Sequence, residues 1–229
     1  MIKNTNEQLI NLDEKDFIGK GCDHRCYIHP TNDLLCVKIY YNPDKKHLYG
    51  SLNYNKNMLK KQCFSSVLPK YYGEIQTNMG VGYVYDLIRD YDGNISNTLR
   101  HYLLSKDLLK NNLSEFARCL KILQTKMIED RVITNELVAS NILYQKESEN
   151  SGKLVIVDNL GCVSRVPLEY YFDFAACYKI KKRWRKFFEH LKYRYTNTSL
   201  IAELVKKSGL DEVKLGKIDI VLKCFDKNG

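Results

Sequence analysis

The sequence predicts an α+β protein: a small antiparallel sheet carrying one helix, followed by a mainly helical second half. Three observations lead there. Alternating runs rich in β-branched and aromatic residues fill positions 8–88. Helix-period apolar stripes take over after residue 96. A chain of 229 residues with 44% apolar content has enough material for a sizeable core, and 11% aromatics argue against disorder.

Each element can be justified in turn. Residues 8–41 read as strands: "LINLDEKDFIGKG" leads into a glycine pair, "RCYIHP" alternates, "PTNDL" turns, and "LLCVKIYY" is a second strong strand. "DKKHLYGSLNYNKNMLKKQ" (44–62) places Leu48, Leu52, Tyr54 and Leu59 at loosely helical spacing, weakened by Gly50. "LPKYYGEIQTNMGVGYVYDLI" gives two strands around a turn at "TNMG". Beyond a junction at 88–96, Phe116, Leu120, Leu123 and Met127 form a helical stripe, with Ser114 as the expected N-cap. "VITNELVASNILYQ" and "LVIVDNLG" then read as short strands joined as a hairpin across "KESENSGK". In the helix expected over 178–195, Ile180, Trp184, Phe187, Phe188, Leu191 and Tyr195 share one face. "SLIAELVKKSG" is a short helix stopped by Gly209, and the remainder to Gly229 is expected to be helical. Two lobes follow, residues 1–90 and 91–229, without internal repeats.

The balance of 36 basic against 27 acidic residues, a formal +9, favours anionic partners without naming one. Eight Lys/Arg against the single acid Glu189 give the segment 178–195 a charge of +7, most of the excess. Its simplest reading is a core helix with a solvated cationic face. An anionic partner such as a phosphosugar or an acidic membrane surface is the alternative, and no nucleic-acid-binding motif accompanies the charge. The eight cysteines are scattered, and the nearest approach to a metal cluster, Cys22-x-His24-x-Cys26, lacks zinc-site spacing. Scattered thiols suit a reducing compartment. "MIKNTNEQLINLDEKDF" has no apolar core and does not read as a signal peptide, and no run of eighteen apolar residues occurs. The expected location is the cytoplasm.

The stretch "VIVDNLG" raises the functional question, because it places Asp158 at the mouth of a buried strand. Asp-Asn-x-Gly is ordinary turn chemistry, but a carboxylate there can also hold a metal bound to phosphates. Three further features stand in order before it. Gly19 and Gly21 in "GKGCDHRCY" let backbone approach phosphate with no Cβ in the way. Lys38 sits in an apolar strand, on one face with Cys36 and Tyr40. "ITNELVASNILY" places Glu136 five residues before Asn141, an acid that could take a proton from a hydroxyl and an amide that could ligate a divalent cation. Taken singly, each has a bland structural explanation.

As a set, the order of glycine loop, strand lysine, loop asparagine and post-strand aspartate is similar to the protein-kinase-like arrangement. More closely, "GKGCDHRCYIHP", "CVKIYY", "GYVYDLIRDYDG", "RVITNEL" with "NIL", and "VDNLG" resemble the YrbL family of bacterial proteins, named for the PhoP regulatory network, over roughly residues 15–190. The resemblance implies a kinase-like fold with a reduced helical C-lobe, binding ATP and Mg2+. It would make Gly19 and Gly21 the phosphate-covering loop and pair Lys38 with the α/β-phosphates. Leu87, Ile88 and Arg89 would offer backbone to adenine. Asn141 and Asp158 would hold the metal, and Glu136 would stand in the place of the catalytic aspartate. The phosphate acceptor, a hydroxyl of a small molecule, glycan or protein, is not encoded in any motif.

The departures are specific. No acid lies between Asp44 and Glu74 to hold Lys38 from the following helix, and Ser51 falls where a glutamate is expected. Lys38 is left to phosphate, to Asp158 or to Glu74. "ITNE" replaces the usual His-Arg-Asp, Val138 replaces a lysine, and "DNLG" replaces Asp-Phe-Gly. These changes motivate a second expectation, a pseudokinase that binds a partner without catalysis.

Overall fold

The computed structural model describes residues 9–42, 46–61, 64–161 and 168–210. The helix expected after residue 210 lies outside them. A five-stranded antiparallel sheet has the order β1-β2-β3-β5-β4, with β1 at Phe17–Lys20, β2 at His24–His29, β3 at Asn32–Tyr40, β4 at Tyr71–Thr77 and β5 at Gly80–Asp86. The reading of 8–41 as strand holds less well before Phe17, where only Ile10 makes an isolated bridge and Glu14–Asp16 form a 3-10 turn. Alternation along β3 sorts the side chains as expected. Cys36 packs with Tyr71, Tyr83, Tyr85 and Leu52 on one side, and Val37 and Ile39 pack with Leu12 and Tyr27 on the other. Helix α1, Lys46–Lys61, supplies Leu52 to the first of these faces and Tyr54 to the core of the second half.

The segment after β5 is stitched rather than slack. Ser96 Oγ and the Lys146 N–H both donate to Asp90, at 2.5 and 2.9 Å, and Arg89 bridges Ile95. Thr98 and Ser105 cap the two helices that follow, α2 (Leu99–Leu104) and α3 (Lys106–Glu129), each accepting from an N–H three residues on. Ser114 is therefore not a cap. It lies inside one continuous α3, because the asparagines before it are tolerated: Asn112 donates back to the Leu108 carbonyl while Leu109 and Leu113 are buried. The expected hairpin forms as β6 (Ile142–Lys146) and β7 (Gly152–Ile156). Helix α4, Asp173–Arg194, starts five residues earlier than its periodicity suggested, and α5, Thr198–Ser208, ends at Gly209 with φ of 66°.

The main core joins α2–α5 and the β6–β7 hairpin. Trp184 is fully buried there, edge-on to Phe187 and tilted against Phe188, with ring centroids 5.4 and 5.6 Å away. Truncation to Ala leaves a cavity in the packing of α4 against α3 and α5, so Trp184→Ala should cost about 3–5 kcal/mol in a urea unfolding titration. A loss below about 1 kcal/mol would mean α4 is not anchored through this ring.

Candidate functional site

Between the sheet and the β6–β7 hairpin lies a cleft of about 620 Å³. Gly19 from β1, Gly21 from the β1–β2 turn, Lys38 from β3, Leu87 and Ile88 after β5, Asn141 before β6 and Asp158 after β7 all line it. Seven of the residues singled out in the sequence thus meet in one space. Arg89 and Glu136 do not line it. Arg89 is a structural clamp, its guanidinium donating to the carbonyls of Asp33 and Gly93. Glu136 is exposed, and its carboxylate accepts the Asn159 amide at 3.4 Å.

Asn141 and Asp158 come together because of the hairpin. Ile142 pairs with Ile156, and the Val157 N–H donates to the Asn141 carbonyl at 2.9 Å, which sets Asp158 beside the asparagine. The chain then turns sharply through Asn159 in the left-handed region, φ 58°, with its N–H on Asp158 Oδ1 at 2.9 Å. Thr134 Oγ1 reaches the carbonyls of both Glu136 and Asn159 at 2.8 Å, tying the two loops into one unit. Gly161 closes the turn at φ 84°, where an added Cβ would stand 2.6 Å from the Gly50 carbonyl oxygen. Gly50, which weakened the helix reading, is where α1 and this turn touch backbone to backbone.

Lys38 is 7% exposed, and its Nζ donates to the Val157 carbonyl at 2.6 Å. Burial works against its ammonium, but the Asp158 carboxylate leads the opposing charges that hold its pKa above the ordinary value. Of the three partners open to it, Glu74 is taken by Lys56 at 2.7 Å, while Asp158 acts on it directly. The missing helix glutamate has an uncharged counterpart. Asn55 of α1 donates to the Tyr85 hydroxyl at 3.0 Å, and the Tyr85 ring lies 5.3 Å from Lys38 Nζ. Both Asn55 and Tyr85 are buried. Tyr85→Phe strands the Asn55 amide, and Asn55→Ala leaves the Tyr85 hydroxyl with Tyr40 alone, so each should cost about 1–3 kcal/mol. In urea melts the double variant should cost no more than the worse single, and simple additivity would refute the link.

His24 also enters the cleft, 3.7 Å from Asp158 Oδ2 and with its ring tilted against Tyr40. Burial first, and the Lys38 cation second, push its pKa down to about 4 despite Asp158 and Asp23. At neutral pH the imidazole is uncharged, so its contact with Asp158 is not an ion pair. Asn55 and Tyr85 were missed in the sequence, and His24 was weighed only as part of Cys22-x-His24-x-Cys26. Only His24 carried a usable signal, its place within the glycine loop.

The sequence profile described as "PhoP regulatory network protein YrbL" matches residues 10–192. The chain is 30% identical over 182 residues to the "Uncharacterized protein YrbL" of Escherichia coli (strain K12), covering 78% of this chain and 86% of that one. The protein of the same name from Shigella flexneri matches with the same identity and coverage. This chain belongs to the YrbL family. No helix among the described residues is long and apolar enough to cross a membrane.

Proposed function

We propose that this protein has a kinase-like fold and binds ATP with Mg2+ in the cleft, as a phosphotransferase that moves the γ-phosphate to a hydroxyl acceptor. The observation that carries this reading is the convergence of the two loop glycines, a buried lysine and the Asn141–Asp158 oxygen pair on one cleft of nucleotide size. The residues fit the group. Lys38 has one N–H on Val157 and further donors for α/β-phosphate oxygens. Among the described residues no cluster of three or more His, Cys, Asp or Glu side chains could hold a metal. Asn141 and Asp158 would therefore share the hard cation with phosphate and water oxygens, as Mg2+ prefers. When bound, Mg-ATP supplies the transferable phosphoryl group and the charge neutralisation. The chain's own work is to cover phosphates with Gly19 and Gly21 and orient them through Lys38; the exposed Glu136 carboxylate, held by Asn159 beyond the cleft lining, would take the hydroxyl proton only from an acceptor seated outside that lining.

The test is isothermal titration calorimetry of the full chain with ATP, with and without Mg2+, repeated with Lys38→Met. Magnesium-dependent binding weakened at least about tenfold in the variant is expected, since a charge-assisted contact to phosphate is worth about 1.5–3 kcal/mol. Binding that ignores Lys38→Met, or no binding by the unaltered chain, would refute the nucleotide site. A second reading, a pseudokinase, is favoured by one observation: Lys38 is held by Val157 and Asp158, with no helix carboxylate to be engaged or released. Tight Mg-ATP binding with no phosphate transferred, and no ATP hydrolysed, would select it.

A further inference from the structure

The outward side of α4 carries an unusual exposed surface. The helix buries Ala176, Ile180, Trp184, Phe187, Phe188 and Leu191, so Phe174, Tyr178, Lys182, Arg185 and Lys192 project from the opposite side at helical spacing. Its first turns and the residues before it expose four large rings: Tyr171 is 74% exposed, Tyr178 58%, and Phe172 and Phe174 49% each. Single exposed rings need no explanation, but four within eight residues do. Phe172 and Phe174 touch one another, centroids 5.6 Å apart, so these rings form a patch. Further along the same side, Lys182, Arg185 and Lys186 are exposed. The one acid among them, Glu189, lies 3.8 Å from Arg185 in a pair that is more than half exposed on both sides, which neutralises little. Asp173, at the helix start, is engaged by Arg131.

We propose that this face docks the protein reversibly on an anionic lipid bilayer surface. The rings would enter the headgroup boundary at the start of α4, and the cations would meet lipid phosphates along it. Aromatic side chains favour that boundary because an apolar body and a polar edge are both satisfied there. Long cationic stems lie along apolar surface while their heads reach phosphate. The segregated layout favours a bilayer over single-stranded nucleic acid. A base-stacking platform interleaves rings with cations along a groove, whereas here four of the exposed rings gather at the start of the helix and only Tyr193, 91% exposed, stands among the charges at the other end. This inference does not rest on the nucleotide cleft.

The test is vesicle co-sedimentation of the full chain. Phosphatidylcholine vesicles with and without phosphatidylglycerol are compared at low and high salt. The unaltered chain should bind the phosphatidylglycerol vesicles selectively and release as screening increases. Lys182→Gln/Arg185→Gln/Lys186→Gln should lose about fivefold in affinity for each cation, about a hundredfold together. Phe174→Ser/Tyr178→Ser should bind more weakly to the same vesicles while keeping the salt dependence. All five side chains are exposed, so urea midpoints should stay unchanged and confirm intact folding. Equal binding to both vesicle types, no effect of the charge variant, or capture of a single-stranded oligonucleotide in place of vesicles would overturn the proposal.

Discussion

Asp158→Asn is expected to remove the magnesium-dependent part of nucleotide affinity, by at least about a hundredfold, and to leave the fold standing. The asparagine is nearly isosteric and can still accept the Asn159 N–H that shapes the turn. What it loses is the charge, and the charge does two things. It would ligate the cation, and it offsets the burial of the Lys38 ammonium. The sign of the effect should reverse with the metal. Without magnesium, a carboxylate in the cleft repels the triphosphate, so the variant should bind ATP no worse than the unaltered chain. Calorimetry in magnesium and in chelator separates the two arms. An equal loss in both would assign Asp158 to the fold rather than to a metal. Neutralising it also leaves Lys38 with burial less opposed, so the lysine pKa should fall from its raised position, as a reactive acylation profile against pH would record.

Gly161→Ala should be a strongly destabilising single methyl beside the cleft. Two costs combine. The backbone sits at φ 84°, a region where a Cβ strains any L-residue, and that Cβ would also stand 2.6 Å from the Gly50 carbonyl oxygen and 3.0 Å from Tyr54 Cβ. Neither obstacle is a flexible side-chain tip, so α1 and the turn must separate. Together the costs should reach about 3 kcal/mol, with strain near 1–2 and overpacking supplying the rest. Gly93 is the natural control. Its φ of 87° is almost the same, but nothing lies within 4 Å of its added Cβ. Gly93→Ala should therefore cost only the strain, and the difference between the two urea midpoints measures the α1–turn contact alone. Equal losses would mean the turn and α1 can part freely.

The two glycines illustrate what the sequence could and could not convey. Gly50 read as a defect in a helix, and the approach of Gly161, 111 positions away, to its carbonyl exists only once α1 is packed. Lys38 and Asp158 were legible because each breaks a local pattern: a cation in an apolar strand, an acid closing a β-branched run. Asn55 and Tyr85 break none. Their partnership depends on β5 lying beside β3 and on the face α1 presents, and no short-range period encodes either. Ser114 shows the opposite error. A residue with good capping chemistry was taken for a helix start, but Ser105 already caps the helix and burial of Leu109 and Leu113 carries it through the asparagines. Strands were over-extended before Phe17 for a related reason, since "LINL" offers apolar residues while the sheet offers them only one bridge.

The departures from the expected pattern fall on both sides of the cleft, Asn55 and Tyr85 on the sheet side and Glu136 on the hairpin side. Uncharged Asn55 and Tyr85 replace an acid, and Glu136 faces Asn159 outside the cleft lining. The metal-side pair, by contrast, is set by strand pairing and a tight turn.

The most direct test of the central claim is a crystal structure of the chain with a non-hydrolysable ATP analogue and Mn2+ in place of Mg2+. An anomalous peak is expected between Asn141 Oδ1 and Asp158, with phosphates beneath Gly19 and Gly21 and within reach of Lys38 Nζ. Nucleotide bound elsewhere, or bound here with no metal on Asp158, would contradict it.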